Sequence, residues 1–238
     1  MCEFFSLISD GRGKIYYFDW ELRKQCLKKE LNYEPDSHTS IADYFGFKGK
    51  DEDNINKYEY NPLTKVFRTD NLNVEDDSKQ VKEQCKRLNF TKIVPQLILK
   101  PIIHPFRDIK ERKKVTAKDI ELLKQWASVR ASVGASVRDS VWASVGASVR
   151  DSVRDSVWAS VWASVWASVW ASVRESVWAY IGSFFILDEW KDIKHKKGDY
   201  PYQSVIDLWE RGLVPSFDGK KWRLHTGKDA KIIWEGEI

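Results

Sequence analysis

The chain has 238 residues, 42% of them apolar and 31% charged, with 39 basic against 35 acidic side chains for a formal charge of +4. That length suits one domain with an insertion or two small ones, both fractions are ordinary for a soluble globular protein, and the small basic excess gives no support to nucleic acid as a partner. Cys2, Cys26 and Cys85 are widely spaced, with no C-x-x-C pair and no secretory leader. They predict free, buried thiols in a reducing cytoplasm and no bound metal.

In chain order, Phe4-Phe5-Ser6-Leu7-Ile8 and Lys14-Ile15-Tyr16-Tyr17-Phe18 are β-prone runs around the turn Asp10-Gly11-Arg12-Gly13, a hairpin signal. A short charged helix follows from Glu21 to Glu30, and Ser37 with its neighbours forms a capped turn before a helix at Ile41. Lys57 to Thr69 predicts a second hairpin with Asn61-Pro62 in its turn. Asp77-Ser78 caps a helix through Leu88, with Gln80 at the capping-box position. Ile93 to Leu99, interrupted by Pro95, predicts an edge strand or an extended segment. Thr116-Ala117-Lys118-Asp119 is a capping box that opens a helix through Gln125. Beyond Leu187, Tyr202 to Arg211 is a helix stopped by Gly212. Trp222-Arg223-Leu224-His225 and Ala230 to Trp234 form a hairpin about Thr226-Gly227-Lys228-Asp229.

Between these flanks, Trp126 to Val177 repeats the unit X-[Ala/Asp/Glu]-Ser-Val thirteen times, X being only Trp, Arg or Gly, and Trp178-Ala179-Tyr180-Ile181 is a degenerate last copy. In an α-helix each unit advances one residue class by about 40° around the axis, so no straight apolar stripe forms. In a β-strand the unit alternates cleanly, and it resembles the pattern of pentapeptide-repeat solenoids with one residue missing. Asp139, Asp151, Asp155 and Glu175 favour helix, because a solenoid buries that position and an unpaired buried carboxylate is costly. The undivided approach from Thr116 favours helix too, with breaks at Gly134 and Gly146. All four acids directly follow an Arg, a pattern that block copying or charge compensation explains. Trp, Arg and Gly share codons of one form that differ in the first base, which suggests a twelve-nucleotide unit expanded by slippage. The uncharged run Ser156 to Val173 is of minimal spanning length, but Ser and interfacial Trp recur every fourth residue, which argues against a membrane span.

The expected fold class is α+β. Segment 1–115 and segment 187–238 supply hairpins and helices and pack together as one globular body, since about 50 residues alone bury too little. The helical repeat region, 116–186, is an insertion in it, and a β-solenoid is the alternative.

Asp36-Ser37-His38-Thr39-Ser40-Ile41-Ala42, Asn56-Lys57-Tyr58-Glu59-Tyr60-Asn61-Pro62-Leu63-Thr64, the repeat and Gly212-Leu213-Val214-Pro215-Ser216-Phe217-Asp218-Gly219 with Trp222-Arg223-Leu224-His225 resemble an uncharacterised family from bacteriophages and gut-bacterial metagenomes. The resemblance spans nearly the whole chain and implies a phage or mobile-element setting, with no activity attached.

No cofactor is predicted, since no phosphate-binding fingerprint follows Gly11 and Gly13. The Asp36, Ser37, His38 and Ser40 run holds acid, base and nucleophile types, but sequence neighbours seldom converge, and a capped turn is the simpler reading. His104 lies between Ile103 and Pro105, and His195 stands in the basic run from Lys191 to Lys197, a solvated face. The leading expectation is a structural or interaction protein whose Trp126, Trp142, Trp158, Trp162, Trp166 and Trp170 supply a surface for self-association or for a host or phage protein. The alternative is a small phage-encoded enzyme acting on nucleotides or nucleic acid. It requires a cleft that gathers His38, His225, Arg223 or Asp218, with the repeat as a spacer.

Overall fold

Two small antiparallel sheets lie in two separate compact units. The computed structural model describes residues 5–47, 53–133, 136–145, 153–158 and 167–238, with side chains in the last stretch from residue 173 onward. The first unit is residues 1–100 with 146–156; the second is 101–145 with 157–238.

In the first unit β1 (Phe5–Ser9) is buried along its whole length and sits inside a sheet of order β2-β1-β3-β4, with β2 at Ile15–Tyr16, β3 at Asn56–Asn61 and β4 at Val66–Asn71. The first turn needs its glycines, since Gly11 and Gly13 have φ of +74° and +85°. The second turn is held by Asn61, whose Oδ1 accepts from the Leu63 and Thr64 amides at 3.0 and 3.1 Å. Helices α1 (Trp20–Leu27) and α2 (His38–Tyr44) start at Asp19 and Ser37, whose side chains accept amides of the first turn. Ile8, Phe18, Ile41, Ala42 and Ile55 close the core beneath them. Arg23 is buried there, forked onto Asp36 at 2.6 and 3.0 Å, with its Nε donating to the Phe18 carbonyl at 2.8 Å.

The helix expected after Asp77 is α3 (Ser78–Arg87). Ile93 to Leu99 forms no strand: Asn89 caps a single turn, α4 (Phe90–Ile93), and Pro95 lacks the amide a ladder requires, leaving one bridge at Leu97.

The repeat is helical where it is described, and no solenoid occurs among the described residues. Helix α5 (Ala117–Ser132) begins at the expected capping box of Thr116 and Asp119 and stops one residue before Gly134, with Val133 extended. Helix α6 (Val137–Ser144) ends in the same way, with Val145 extended before Gly146. Residues 153–158 form α7, and α8 is Ala167–Gly182. In the first unit Asn61 Nδ2 donates to Ser156 Oγ at 2.6 Å.

Helix α6 spans two units of the four-residue period, which accumulate only about 80° of rotation, narrower than an apolar stripe. From residue 137 onward every described repeat valine is buried, and Ser140, Ser156 and Ser176 are buried with them. Small Ser and Val side chains let α6 and α8 pack closely. At their crossing a Cβ on Gly182 would lie 3.1 Å from Val141 and 2.6 Å from the Tyr200 hydroxyl. Buried serines are satisfied within the unit: Tyr202 Oη donates to Ser140 Oγ at 2.9 Å, and Ser176 Oγ donates back to the Val173 carbonyl at 2.7 Å.

The helical insertion is therefore also a core. Helix α9 (Gln203–Glu210) packs on α5 and α8, and strand β5 (Val214–Phe217) packs on α8 and α9. With β6 (Trp222–Thr226) and β7 (Lys231–Gly236), β5 completes a sheet of order β5-β6-β7. The C-terminal segment thus finds within the second unit, on the repeat helices, the apolar area that it lacks alone. Asp119 ties the unit together at the α5 N-terminus, meeting Arg211 at 2.5 Å and Arg112 at 3.2 Å. No helix among the described residues is long and apolar enough to cross a membrane.

Candidate interaction surface

Within one repeat unit the four positions divide by direction. From α6 onward valine points inward, serine is buried or half-buried, and the variable X position points outward through the middle of the repeat. Arg138, Arg154 and Trp158 are half-exposed, Arg174 is exposed, and Trp142 is 41% exposed. The two described X positions at the ends do the opposite. Trp126 is buried edge-on against Tyr202 at 6.2 Å, and Trp178 is buried with Trp142 packed edge-on against it at 6.1 Å.

Of the six tryptophans expected to form a binding surface, Trp126 does not belong to one. It is 1% exposed, because α5 and α9 close over it. Trp142 is exposed on α6 and Trp158 half-exposed on α7. Trp162 and Trp166 lie outside the described residues, and of Trp170 only the helical backbone is described.

The acidic residues of the repeat have a second use that periodicity did not reveal. Every acid stands three residues after a serine, the spacing of a capping box. At α6 the serine half of that box is formed: Ser136 Oγ accepts from the Asp139 amide at 3.1 Å, and its hydroxyl donates to Asp139 Oδ2 at 2.7 Å. Glu175 of α8 adds a carboxylate to the same helix end, accepting the Val137 amide at 2.8 Å. Two acids thus meet the positive end of α6. The Ser136 hydrogen bond, followed by Arg138, holds the Asp139 carboxyl below its ordinary range. Arg138 and Arg154 each fold onto the next acid, Nε to Oδ1, at 2.9 and 2.8 Å. At these two positions the arginine and the acid that follows it form a local ion pair, as either block copying or charge compensation would allow.

The residues of the enzymatic alternative are divided between the two units. His38 belongs to the first unit, where its Nε2 lies 2.9 Å from the Tyr58 carbonyl. Its sequence neighbours have separate duties: Asp36 pairs with Arg23, Ser37 caps α2 and Ser40 Oγ accepts the Glu34 amide. Arg223 and Asp218 belong to the second unit and form an exposed ion-pair group with Glu235 and Lys221. The backbone amides of Lys221 and Lys220 pull the Asp218 carboxyl down to about 2.

His225 sits behind them in the same sheet, buried. Its Nδ1 is 2.9 Å from the Ala230 carbonyl, which only accepts, so Nδ1 carries the proton and Nε2 accepts from Ser216 Oγ at 2.7 Å. Burial pushes the imidazole pKa down, with Arg223 adding to it against the Ala230 hydrogen bond. This is nucleophile-and-base chemistry in form, yet Ser216 is 1% exposed and no substrate reaches it. His104 is likewise buried, its Nδ1 accepting the Phe106 and Arg107 amides at 3.1 and 3.2 Å. His195 keeps to the basic run, half-buried.

A polar centre in the first unit escaped sequence reasoning. Asp77 occupies the N-cap position of α3 but makes no side-chain cap hydrogen bond. It turns inward instead, accepting from Tyr58 Oη at 2.6 Å, Ser9 Oγ at 2.8 Å, the Gly13 amide at 2.8 Å and Asn56 Nδ2 at 3.1 Å. Burial pushes its pKa up, but these donors outweigh burial and hold the carboxyl below the ordinary range. Saturated in this way, Asp77 is a structural knot and not a base. The adjoining cleft of about 410 Å³ carries Arg12 and Lys79 against Glu75, Asp76 and Asp77, a net charge of −1. Cys26 and Cys85 are free and buried, burial pushing the Cys85 thiol up to about 12. No cluster of three metal-ligating side chains occurs among the described residues.

No family model matches the chain, and no curated protein or solved structure matches it either.

Proposed function

We propose that the chain is an interaction protein whose repeat helices offer their outward X positions to a second copy or to another protein, in the phage or mobile-element setting that its sequence resembles. One observation carries the reading: in α6 and α7 the valines bury whereas X is half-exposed or exposed, so there X alternates between Trp and Arg without disturbing the core. Trp142, exposed beside Arg138 and packed on Trp178, is the anchor, since Trp and Arg dominate contact energies at protein interfaces.

Deleting the repeat is not a clean test, because its helices form the core of the second unit. The test is Trp142→Ser in the full chain, checked by circular dichroism for an unchanged fold and compared with wild type by sedimentation velocity over a wide concentration range. Weaker association of the substituted chain, or loss of a protein partner that wild type retains, supports the reading. Association and partner retention identical to wild type would overturn it.

A further inference from the structure

An open sheet edge offers unpaired backbone donors and acceptors to any other strand, and proteins blunt such edges with short strands, charges, proline, bulges or a covering element. Two sheets give four edges here. Strand β2 has two residues; β4 carries Arg68, Asp70 and Asn71; β5 contains Pro215 and packs on α8 and α9. Strand β7 is different. It runs Lys231-Ile232-Ile233-Trp234-Glu235-Gly236, bonded on one side to β6, with Ile232 48% exposed and Ile233 and Trp234 half-exposed. It has a bulge at Ile233, the residue that the β6 register skips, but no proline and no charge in its centre.

We infer that β7 is a self-pairing edge whose occupant is β7 of a second copy, antiparallel about a twofold axis. Charge selects the register. When Lys231 of each copy faces Glu235 of the other, Ile233 falls on the axis opposite its own counterpart, and Ile232 faces Trp234 on both sides. Shifting either strand by two residues loses both of these contacts: one way Glu235 meets Asp229, and the other way Lys231 meets a carboxylate only at Glu237, beyond the end of β7. Such an interface is isologous and closes at two copies. It goes beyond the repeat reading and does not depend on it. A dimer formed in this way would present two repeat surfaces at once and strengthen any contact they make through avidity.

The test uses the full chain with Ile233→Lys and Ile233→Asp. Across the twofold axis each variant opposes like charges, so each alone should dimerise at least about tenfold more weakly than wild type in sedimentation equilibrium. An equimolar mixture opposes Lys to Asp and should restore the dimer, which also shows that both variants fold. Ile233→Cys should give an oxidised species of twice the mass, because directly opposed Cβ atoms lie within disulfide reach, and Trp234→Cys should not. Trp142→Ser should leave this dimer intact. The inference is overturned if wild type stays monomeric, if Ile233→Lys dimerises like wild type, or if the mixture remains monomeric.

Discussion

The two units solve the same problem with opposite kinds of sequence. The first takes in a short piece of the repeat but is fixed by unrepeated residues, each with one place: Leu7, Ile8 and Ile41 in the core, Arg23 on Asp36, and Asp77 at the centre of four donors. The second builds its centre from a unit of four residues, so that Val137, Val141, Val173 and Val177 are interchangeable small wedges. What fixes the second unit is its unrepeated surroundings: Trp126, Trp178, Tyr180 stacked on Trp209 at 4.7 Å, and the two arginines on Asp119. A repetitive core supplies volume, and specificity then falls to the residues that bracket it.

The hardest blow to this contrast is Trp126→Ala. It removes the largest bracket, and we expect a loss of about 4 kcal/mol in urea unfolding of the full chain, with hydrogen exchange rising in 117–145 and 203–226 but not in 5–47. An equal rise in both units would erase the distinction between them. Asp77→Ala is the counterpart in the first unit. It orphans the donors of Tyr58, Ser9, Asn56 and Gly13 and should cost about 3 kcal/mol, with exchange rising in 5–47 and 53–93. Because the folded-state carboxyl titrates below the unfolded one, this contribution is complete above the ordinary carboxylate range and is lost as pH falls through the lowered value.

His225 sharpens the comparison by a different titration. Its folded-state pKa lies below the ordinary histidine value, so the unfolded chain takes up the proton first. The second unit should keep full stability above about pH 6.5 and lose it as pH falls below that value toward the depressed one. His225→Gln should cost about 1 kcal/mol at neutral pH and flatten this dependence, as read from urea midpoints against pH. A slope unchanged by the substitution would place the titrating group elsewhere. The smallest effect is expected at Trp142→Arg, an exchange the repeat itself makes, within about 0.5 kcal/mol of wild type by the same measurement.

Much of the fold was legible because its signals are local. Asp10-Gly11-Arg12-Gly13, Asn61-Pro62 and the Thr116 to Asp119 box specify turns and a helix start within a few residues, and each forms where it was expected. Helix over solenoid was legible from the acids, though for an incomplete reason: they are tolerated on a surface, and at α6 they also cap. Strand β5 was not read, because Pro215 breaks the strand pattern and only the β6 ladder makes it an edge. Asp77 was misread since a carboxylate before a helix looks like a cap, and the donors that capture it come from residues 9, 13, 56 and 58, distant in sequence. The candidate surface was half legible. Composition picked out the tryptophans, but only the packing of α9 on α5 separates buried Trp126 from exposed Trp142.

The helix ends ahead of Gly134 and Gly146 have a genetic consequence. A unit gained or lost inside a helix turns everything beyond it by about 40° against the core, whereas a block that opens at a glycine and carries its own Ser-x-x-Asp start brings a fresh helix with its phase reset. Alleles of this gene should therefore differ in whole glycine-led cassettes more readily than in single units. The punctuation that lets the protein fold would then also set the step size in which its length evolves.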